Sequence, residues 1–449
     1  MRHILRLIAL AVLAAAARPA ASAGQAAAQP TPPNVVLILM DDLGYGDIGS
    51  YGVPDAQTPN IDRLAREGVR LTDFYANGPN CSPTRAGFIT GRYQQRTGIE
   101  YPLGMLRSDS TFGLLPSPTS LPALLRTRGY ATGLIGKWHL GWKPDFHPRK
   151  HGFDEFWGML GGHTDYYEHR GEFGWHDLFE NETPVHDTTY LTDAITTKAR
   201  DFITRHRARP FFVEVSYNAT HWPFQGPGLV GDARKRPNAL RDGTRADYVA
   251  MLESADRGVG ELLATLDRLG LARNTLVIFT SDNGGEWLSR NAPLFHRKST
   301  LWEGGIRVPA ILRWPGRLPA GVTSGQVGIT MDLTASILAA ANVALPADYR
   351  PEGIDIVALL ASGRTTERTL FWRTNLPARP QWAVRVGQWK YLKDGGHEFV
   401  FDLERDPGER DDRLLEHQSR LPEFRRLVAE WQKDVDASRA AVRASGAAP

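Results

Sequence analysis

Four strand-length, mainly apolar runs, each followed by groups that carry charge or a proton, constrain this 449-residue chain more than any other feature. Val35-Val36-Leu37-Ile38-Leu39-Met40 ends in Asp41-Asp42, and Ala131-Thr132-Gly133-Leu134-Ile135 ends in Gly136-Lys137-Trp138-His139. Phe211-Phe212-Val213-Glu214-Val215 leads to His221, and Thr275-Leu276-Val277-Ile278-Phe279-Thr280 ends in Ser281-Asp282-Asn283-Gly284. Continuous apolar runs without polar alternation are expected for parallel strands covered on both faces. Open α/β sheets bind ligands outside the carboxyl ends of such strands, where these polar groups fall.

Between the runs lie helical patterns. Thr58-Pro59 opens a helix with Ile61, Leu64 and Ala65 on one face, residues 191, 195, 199, 202 and 203 form a second face, and residues 248–269 a third. This alternation predicts a doubly wound α/β domain over residues 33–362, with a large, mixed, mostly parallel sheet. Past Gly363 short runs such as Leu370-Phe371-Trp372, Lys390-Tyr391-Leu392 and Phe399-Val400-Phe401, with a helical pattern at 421–435, predict a smaller antiparallel-sheet-plus-helix domain over 363–449. Residues 142–187 are crowded with Trp, Tyr, His and Gly and lack periodicity. They read as a long functional loop, whose rings, from Trp157 to Trp175, either stack on a sugar or pack beneath the loop.

Residues 1–23 read as a signal peptide: Arg2 and Arg6 flank a short apolar run, and Ala21-Ser22-Ala23 suits cleavage. Export to a periplasm or to the medium is expected. Loss of Arg2, Arg6 and Arg18 with that segment takes the formal charge from +3 to zero, so neither nucleic acid nor an anionic membrane is an expected partner, and no membrane anchor is expected. A single cysteine in an exported chain rules out a disulfide framework. Cys81 is therefore a buried small residue or a functional one. Its neighbours favour function, because Ser82, Pro83, Thr84 and Arg85 make a poor core segment. Ser82 as N-cap and Pro83 at the first helical position put residue 81 at a helix mouth, which favours an anion such as phosphate or sulfate.

Asp41, Asp42, Asp282 and Asn283 offer only oxygen ligands, a set that suits Ca²⁺ or Mg²⁺ better than zinc. Arg85, Lys137, His139, His221 and Lys298 offer positive charge and proton donors. The combination is that of a hydrolase acting on an oxyanion ester.

These motifs resemble the type I sulfatases of the alkaline-phosphatase-like superfamily. The likeness rests on Asp41-Asp42-Leu43-Gly44-Tyr45-Gly46-Asp47, Thr58-Pro59-Asn60-Ile61-Asp62, Cys81-Ser82-Pro83-Thr84-Arg85 with Thr90-Gly91, Gly136-Lys137-Trp138-His139, Ser281-Asp282-Asn283-Gly284 and Glu303-Gly304-Gly305, in family order. The resemblance implies that Cys81 is converted by a formylglycine-generating enzyme to an aldehyde that hydrates to a diol. It further implies that one hydroxyl of residue 81 is a ligand, with Asp41, Asp42, Asp282 and Asn283, of a divalent cation, most readily Ca²⁺ with Mg²⁺ as the alternative. That hydroxyl attacks sulfur and releases the alcohol, and the second hydroxyl, deprotonated with help from His139, expels sulfate. Arg85 and Lys137 hold the diol, while His221 and Lys298 bind sulfate and assist the leaving oxygen. Thr84, where Ser is commoner, and Gly87-Phe88-Ile89 depart from the motif without removing a reacting group.

The implied substrate is a sulfated carbohydrate or a smaller aryl sulfate. A phosphonate or phosphodiester hydrolase of the same architecture, a non-catalytic binder of sulfated glycans and a thiol hydrolase using unmodified Cys81 are the competing readings.

Overall fold

The run at residues 35–40 lies within strand β1 (Asn34–Met40), and its side chains feed two different cores. Val36, Ile38 and Met40 pack on one face of the sheet, and Val35, Leu37 and Leu39 on the other. Side chains alternate with period two, so a strand covered on both faces needs an apolar residue at every position. Each such buried side chain contributes ~1.5–3 kcal/mol.

The structure is a computed structural model that describes residues 32–104, 112–171, 174–231, 242–375 and 379–444. After β1 come α1 (Pro59–Arg66), β2 (Val69–Leu71), β3 (Phe74–Tyr75), α2 (Cys81–Thr90), α3 (Leu121–Arg126), β4 (Ala131–Lys137) and β5 (Glu155–Met159). Then follow β6 (Phe179–Glu180), β7 (Thr183–Pro184), α4 (Leu191–Arg205), β8 (Phe211–Ser216), α5 (Arg245–Arg268), β9 (Thr275–Ser281), α6 (Glu303–Ile306), β10 (Ala310–Arg313), β11 (Val322–Ser324) and β12 (Gly328–Ile329). The chain continues through α7 (Thr330–Ala340), α8 (Ile356–Ser362), β13 (Thr369–Thr374), β14 (Gln381–Val386), β15 (Trp389–Asp394), β16 (His397–Asp402) and α9 (Leu421–Ala444).

Ten strands form one sheet in the order β11-β2-β10-β9-β1-β8-β4-β5-β6-β7. Its centre, β9-β1-β8-β4-β5, is parallel, whereas β10 runs antiparallel to β9. One face is covered by α1, α4 and α5 through residues such as Leu64, Phe202 and Leu252. The other is covered by α2, α3, α7 and α8 through Phe88, Leu125, Ile337 and Leu360. This is the doubly wound arrangement the alternation predicts. The antiparallel sheet β13-β14-β15-β16 packs α9 on one face, with Phe424 and Val428 against Tyr391 and Val400. Its other face sets Trp372, Leu392 and Phe401 into a core with Tyr75, Trp302 and Ile329.

Residues 142–187 correct the sequence reading, because they are only partly a loop. β5 extends the parallel sheet beside β4, and β6 and β7 add a short antiparallel edge. Trp157 and Tyr166 are core residues, 2% and 0% exposed, so neither ring is placed to stack on a ligand. The segment at 1–23 lies outside the described residues. Among the described residues no helix is long and apolar enough to cross a membrane.

Candidate active site at the carboxyl edge of the central strands

Parallel register brings the four runs to a common finish. Met40 pairs with Ser281, Leu39 with Ser216, and Gly136 with Ser216, so Asp41, Asp282, Lys137 and the segment after β8 emerge at the same edge. α2 begins over this edge. Asn80 is its N-cap and Cys81 its first residue, which corrects the assignment of Ser82 as the cap. Ser82 instead accepts a hydrogen bond from the Leu103 amide at 3.0 Å. Pro83 falls inside the first turn, where its missing N–H costs nothing because Thr84 N is the first to reach back, to Asn80 O at 3.3 Å.

Three buried carboxylates meet three cations here, Lys137 and Arg85 buried and Lys298 partly so. Lys137 Nζ donates to Asp41 Oδ2, and Lys298 Nζ donates to Asp42 Oδ2 at 2.7 Å. Arg85 donates to Asp282 Oδ2 through Nε at 3.0 Å and Nη2 at 2.8 Å, and through Nη1 to Lys137 O and Ser216 Oγ. Lys298 is carried on a loop tied to the α2 entrance, since Ser299 donates to Pro79 O from its amide and to Asn80 Oδ1 from its hydroxyl, both at 2.8 Å. Asn283 Nδ2 donates to Asp42 Oδ1 at 2.7 Å, and the Asp42 amide lies 3.4 Å from Asp282 Oδ1.

Two acceptors are left over. Asp41 Oδ1 and Asn283 Oδ1 are buried without a hydrogen-bond partner, an expensive state that a cation would relieve. One ligand atom each from Asp41, Asp42, Cys81 and His221 lies within 4.8 Å of the others. Burial, then the facing carboxylates of Asp282 and Asp42, push Asp41 up to about 8, so a positive charge at this place would be stabilising. The residues present therefore fit a hard divalent cation.

Burial also pushes the Cys81 thiol up to about 12. It is a protonated, poorly nucleophilic thiol, which counts against the thiol-hydrolase reading. Burial, with Lys298 and Lys137 nearby, holds His221 well below the ordinary histidine range, and burial with Lys137 and Arg85 does the same to His139. Both rings are neutral and able to accept a proton. His139 Nδ1 has no partner, and Nε2 lies 3.2 Å from Leu103 O.

The site residues expected from the sequence thus converge: Asp41, Asp42, Cys81, Arg85, Lys137, His139, His221, Asp282, Asn283 and Lys298 are all at this edge. The sequence reading missed Ser216, which steadies Arg85, and His163, whose ring stacks 5.6 Å from that of His221 and 4.0 Å from that of Trp222. His163 follows Gly161-Gly162 within the aperiodic residues 142–187, where no periodic pattern marks it. A Cβ on Gly162 would lie 2.7 Å from the His139 ring, so a glycine there keeps the imidazole in place.

Comparison with known proteins matches the Sulfatase family model over residues 33–343. The chain belongs to the sulfatase family. The sulfatase is 39% identical to N-acetylgalactosamine-6-sulfatase of Sus scrofa, over 80% of this chain and 72% of that protein. It is 35% identical to arylsulfatase A of Bos taurus, over 87% of this chain and 84% of that protein. The solved structure of Ps i-CgsB in complex with k-i-k-neocarrahexaose superimposes on the sulfatase with a TM-score of 0.81 at 32% identity, covering 89% and 93% of the two chains. The sulfatase is a sulfuric ester hydrolase.

Proposed function

We propose that the sulfatase hydrolyses sulfate esters of a carbohydrate, using Cys81 after its oxidation to formylglycine by a formylglycine-generating enzyme. The observation that carries this reading is the pair of orphaned buried oxygens, Asp41 Oδ1 and Asn283 Oδ1, beside Cys81 at the mouth of α2. Asp41, Asp42, Asp282, Asn283 and residue 81 would hold one divalent cation, Ca²⁺ in preference to Mg²⁺, with His221 close enough to join them. When bound, the cation polarises the ester and neutralises charge on oxygen.

Residue 81 supplies an oxygen nucleophile once its aldehyde is hydrated. Arg85, already braced by Asp282 and Ser216, and Lys137 hold its two hydroxyls. Lys298 and His221 bind the sulfate and assist the leaving oxygen, and Lys298, held protonated by Asp42, delivers the proton that the departing alcohol needs. His139, held neutral by burial and with Nδ1 free, accepts the proton of the second hydroxyl as the sulfate leaves residue 81 and the aldehyde is restored. A thiol or serine lacks that second hydroxyl and would stop at the sulfated stage.

The carbohydrate assignment is supported by the names of two relatives, an N-acetylgalactosamine-6-sulfatase and a protein solved with a neocarrahexaose. Export, expected from residues 1–23, places the enzyme with polysaccharides outside the cytoplasm. The test joins two measurements: the mass of the peptide spanning residues 80–85, and turnover of a chromogenic aryl sulfate by wild type and Cys81→Ala. An aldehyde mass with activity lost in the variant is expected. An unmodified thiol in a fully active preparation overturns the reading.

A further inference from the structure

The catalytic edge does not end at β4. One strand further, β5 finishes at Met159, and Phe179 of β6 lies opposite Gly158. Here, one to two strand spacings (~5–10 Å) along the edge from β4, a cavity of about 410 Å³ is lined by Trp142, Lys143, Pro144, His147, Leu160, Phe179 and Glu182. That volume lies within the usual range for small-ligand sites.

Its wall is joined to the catalytic one. The His139 amide donates to Leu160 O at 3.1 Å, so the backbone that positions the catalytic imidazole also borders this cavity. Gly161 and Gly162 bridge the two places: a Cβ on Gly161 would lie 2.5 Å from the Trp142 indole, and one on Gly162 would meet the His139 ring. Two residues without side chains leave only bare backbone between the indole and the imidazole.

The polar groups of the cavity are unequally committed. Glu182 is neutralised by Arg149, which donates to both carboxylate oxygens at 3.0 and 2.8 Å. Both ring nitrogens of His147 are used: Nε2 donates to Asn181 O at 3.0 Å, and Nδ1 accepts from the Arg149 amide at 3.3 Å. Lys143 differs, because it takes part in no ion pair among the described residues and is half-buried beside the half-buried Trp142 and Phe179. An aromatic platform with one uncommitted cation suits a pyranose ring that carries an anionic substituent.

We propose that this cavity is a subsite for an anionic sugar residue neighbouring the one that carries the scissile sulfate. Trp142 stacks on the ring, and Lys143 pairs with its sulfate or carboxylate. The chain would then read two sugar units, one through the hydrolytic centre and the next through this cavity. The inference rests on the carbohydrate reading of the hydrolytic centre, and the aryl sulfate reaction separates the two.

The experiment measures kcat/KM of the holoenzyme for para-nitrophenyl sulfate and for sulfated oligosaccharides of two to six sugars with neutral, carboxylated or sulfated neighbours. Wild type, Trp142→Ala and Lys143→Gln are compared. The expected result is that Trp142→Ala lowers the ratio of oligosaccharide to aryl sulfate kcat/KM by about tenfold or more, mainly through KM. Lys143→Gln lowers that ratio only for substrates with an anionic neighbour, carboxylated and sulfated alike if charge is what is read. An unchanged ratio in both variants overturns the subsite. So does a wild type that hydrolyses the aryl sulfate yet binds no oligosaccharide of the panel by calorimetry. Failure to hydrolyse the aryl sulfate instead strikes the hydrolytic reading.

Discussion

Two of the buried charge clusters among the described residues are built to different rules. One is the proposed hydrolytic centre. The other is under the C-terminal sheet, where Lys390, fully buried, donates to Leu301 O and Glu303 Oε1 and lies 2.8 Å from Glu409 Oε1. Glu303 Oε2 accepts from Tyr75 and Arg307, and the Glu303 amide donates to Glu409 Oε2. Every carboxylate oxygen of that network faces a donor or a cation of the chain itself; Glu409 Oε1, which accepts no hydrogen bond, still meets Lys390 Nζ as an ion pair at 2.8 Å. At the proposed hydrolytic centre, three acids and three bases still leave Asp41 Oδ1 and Asn283 Oδ1 without partners, and ligand atoms of Asp41, Asp42, Cys81 and His221 converge within 4.8 Å. Buried charge that closes on itself holds elements together, and buried charge with acceptors left over awaits a ligand.

The largest test of this contrast is at residue 81. Cys81→Ala should lower aryl sulfate turnover by ~10³-fold or more while leaving the melting temperature close to wild type, because one buried sulfur is a small part of the core. Wild-type turnover in that variant would break the contrast. Lys390→Met should do the reverse. It strands Glu303 and Glu409 in the interior and should cost about 3–5 kcal/mol in denaturant unfolding, with turnover per folded molecule retained.

Metal removal gives the next effect. Chelation should abolish turnover and lower the melting temperature, and Ca²⁺ at about a hundred times its Kd should return ~2.7 kcal/mol of stability. Asp282→Ala should be inactive and indifferent to added Ca²⁺, whereas Lys390→Met should respond as wild type does. A wild type whose activity and melting curve ignore exhaustive chelation would remove the distinction between the clusters.

The smallest effect concerns Glu214, a lone carboxyl on the face of β8 that packs with Leu37 and Leu134 in register on either side. Its Oε2 has no partner, and burial, offset only by Arg85, pushes it up to about 7. The raised value means the folded state holds the proton more tightly than the unfolded chain. Stability from this group is therefore present below the unfolded value of 4.5 and lost as pH rises through about 7. Glu214→Gln should flatten a fall of up to ~1.4 kcal/mol per pH unit across that window, read from urea melts at several pH values. An identical pH slope in the variant would show that Glu214 is solvated in the folded state.

Much of the site was legible before any fold was known, because strands in register must finish together and each run is followed by its polar group. The cation set, the lone cysteine and the helix mouth could all be read from residue type and spacing. Other features were hidden by chemistry that looks alike in sequence. The helix at Cys81 starts before Ser82 because the Ser82 hydroxyl is taken by the Leu103 amide, a partner from a different segment. β5 was obscured because Phe156-Trp157-Gly158-Met159 mixes aromatics with glycine, and only pairing with β4 makes it a strand. Ser216, Glu214 and His163 carry no motif, and each matters through what lies across from it.

By itself, then, the sequence determined which groups stand at strand ends and which class of chemistry they support, since backbone periodicity and residue type are local properties. Tertiary structure decided which of the buried charges are answered and which are left open. That depends on donors brought from distant segments, as Lys298 is to Asp42 across 256 residues, and no local pattern encodes such pairings.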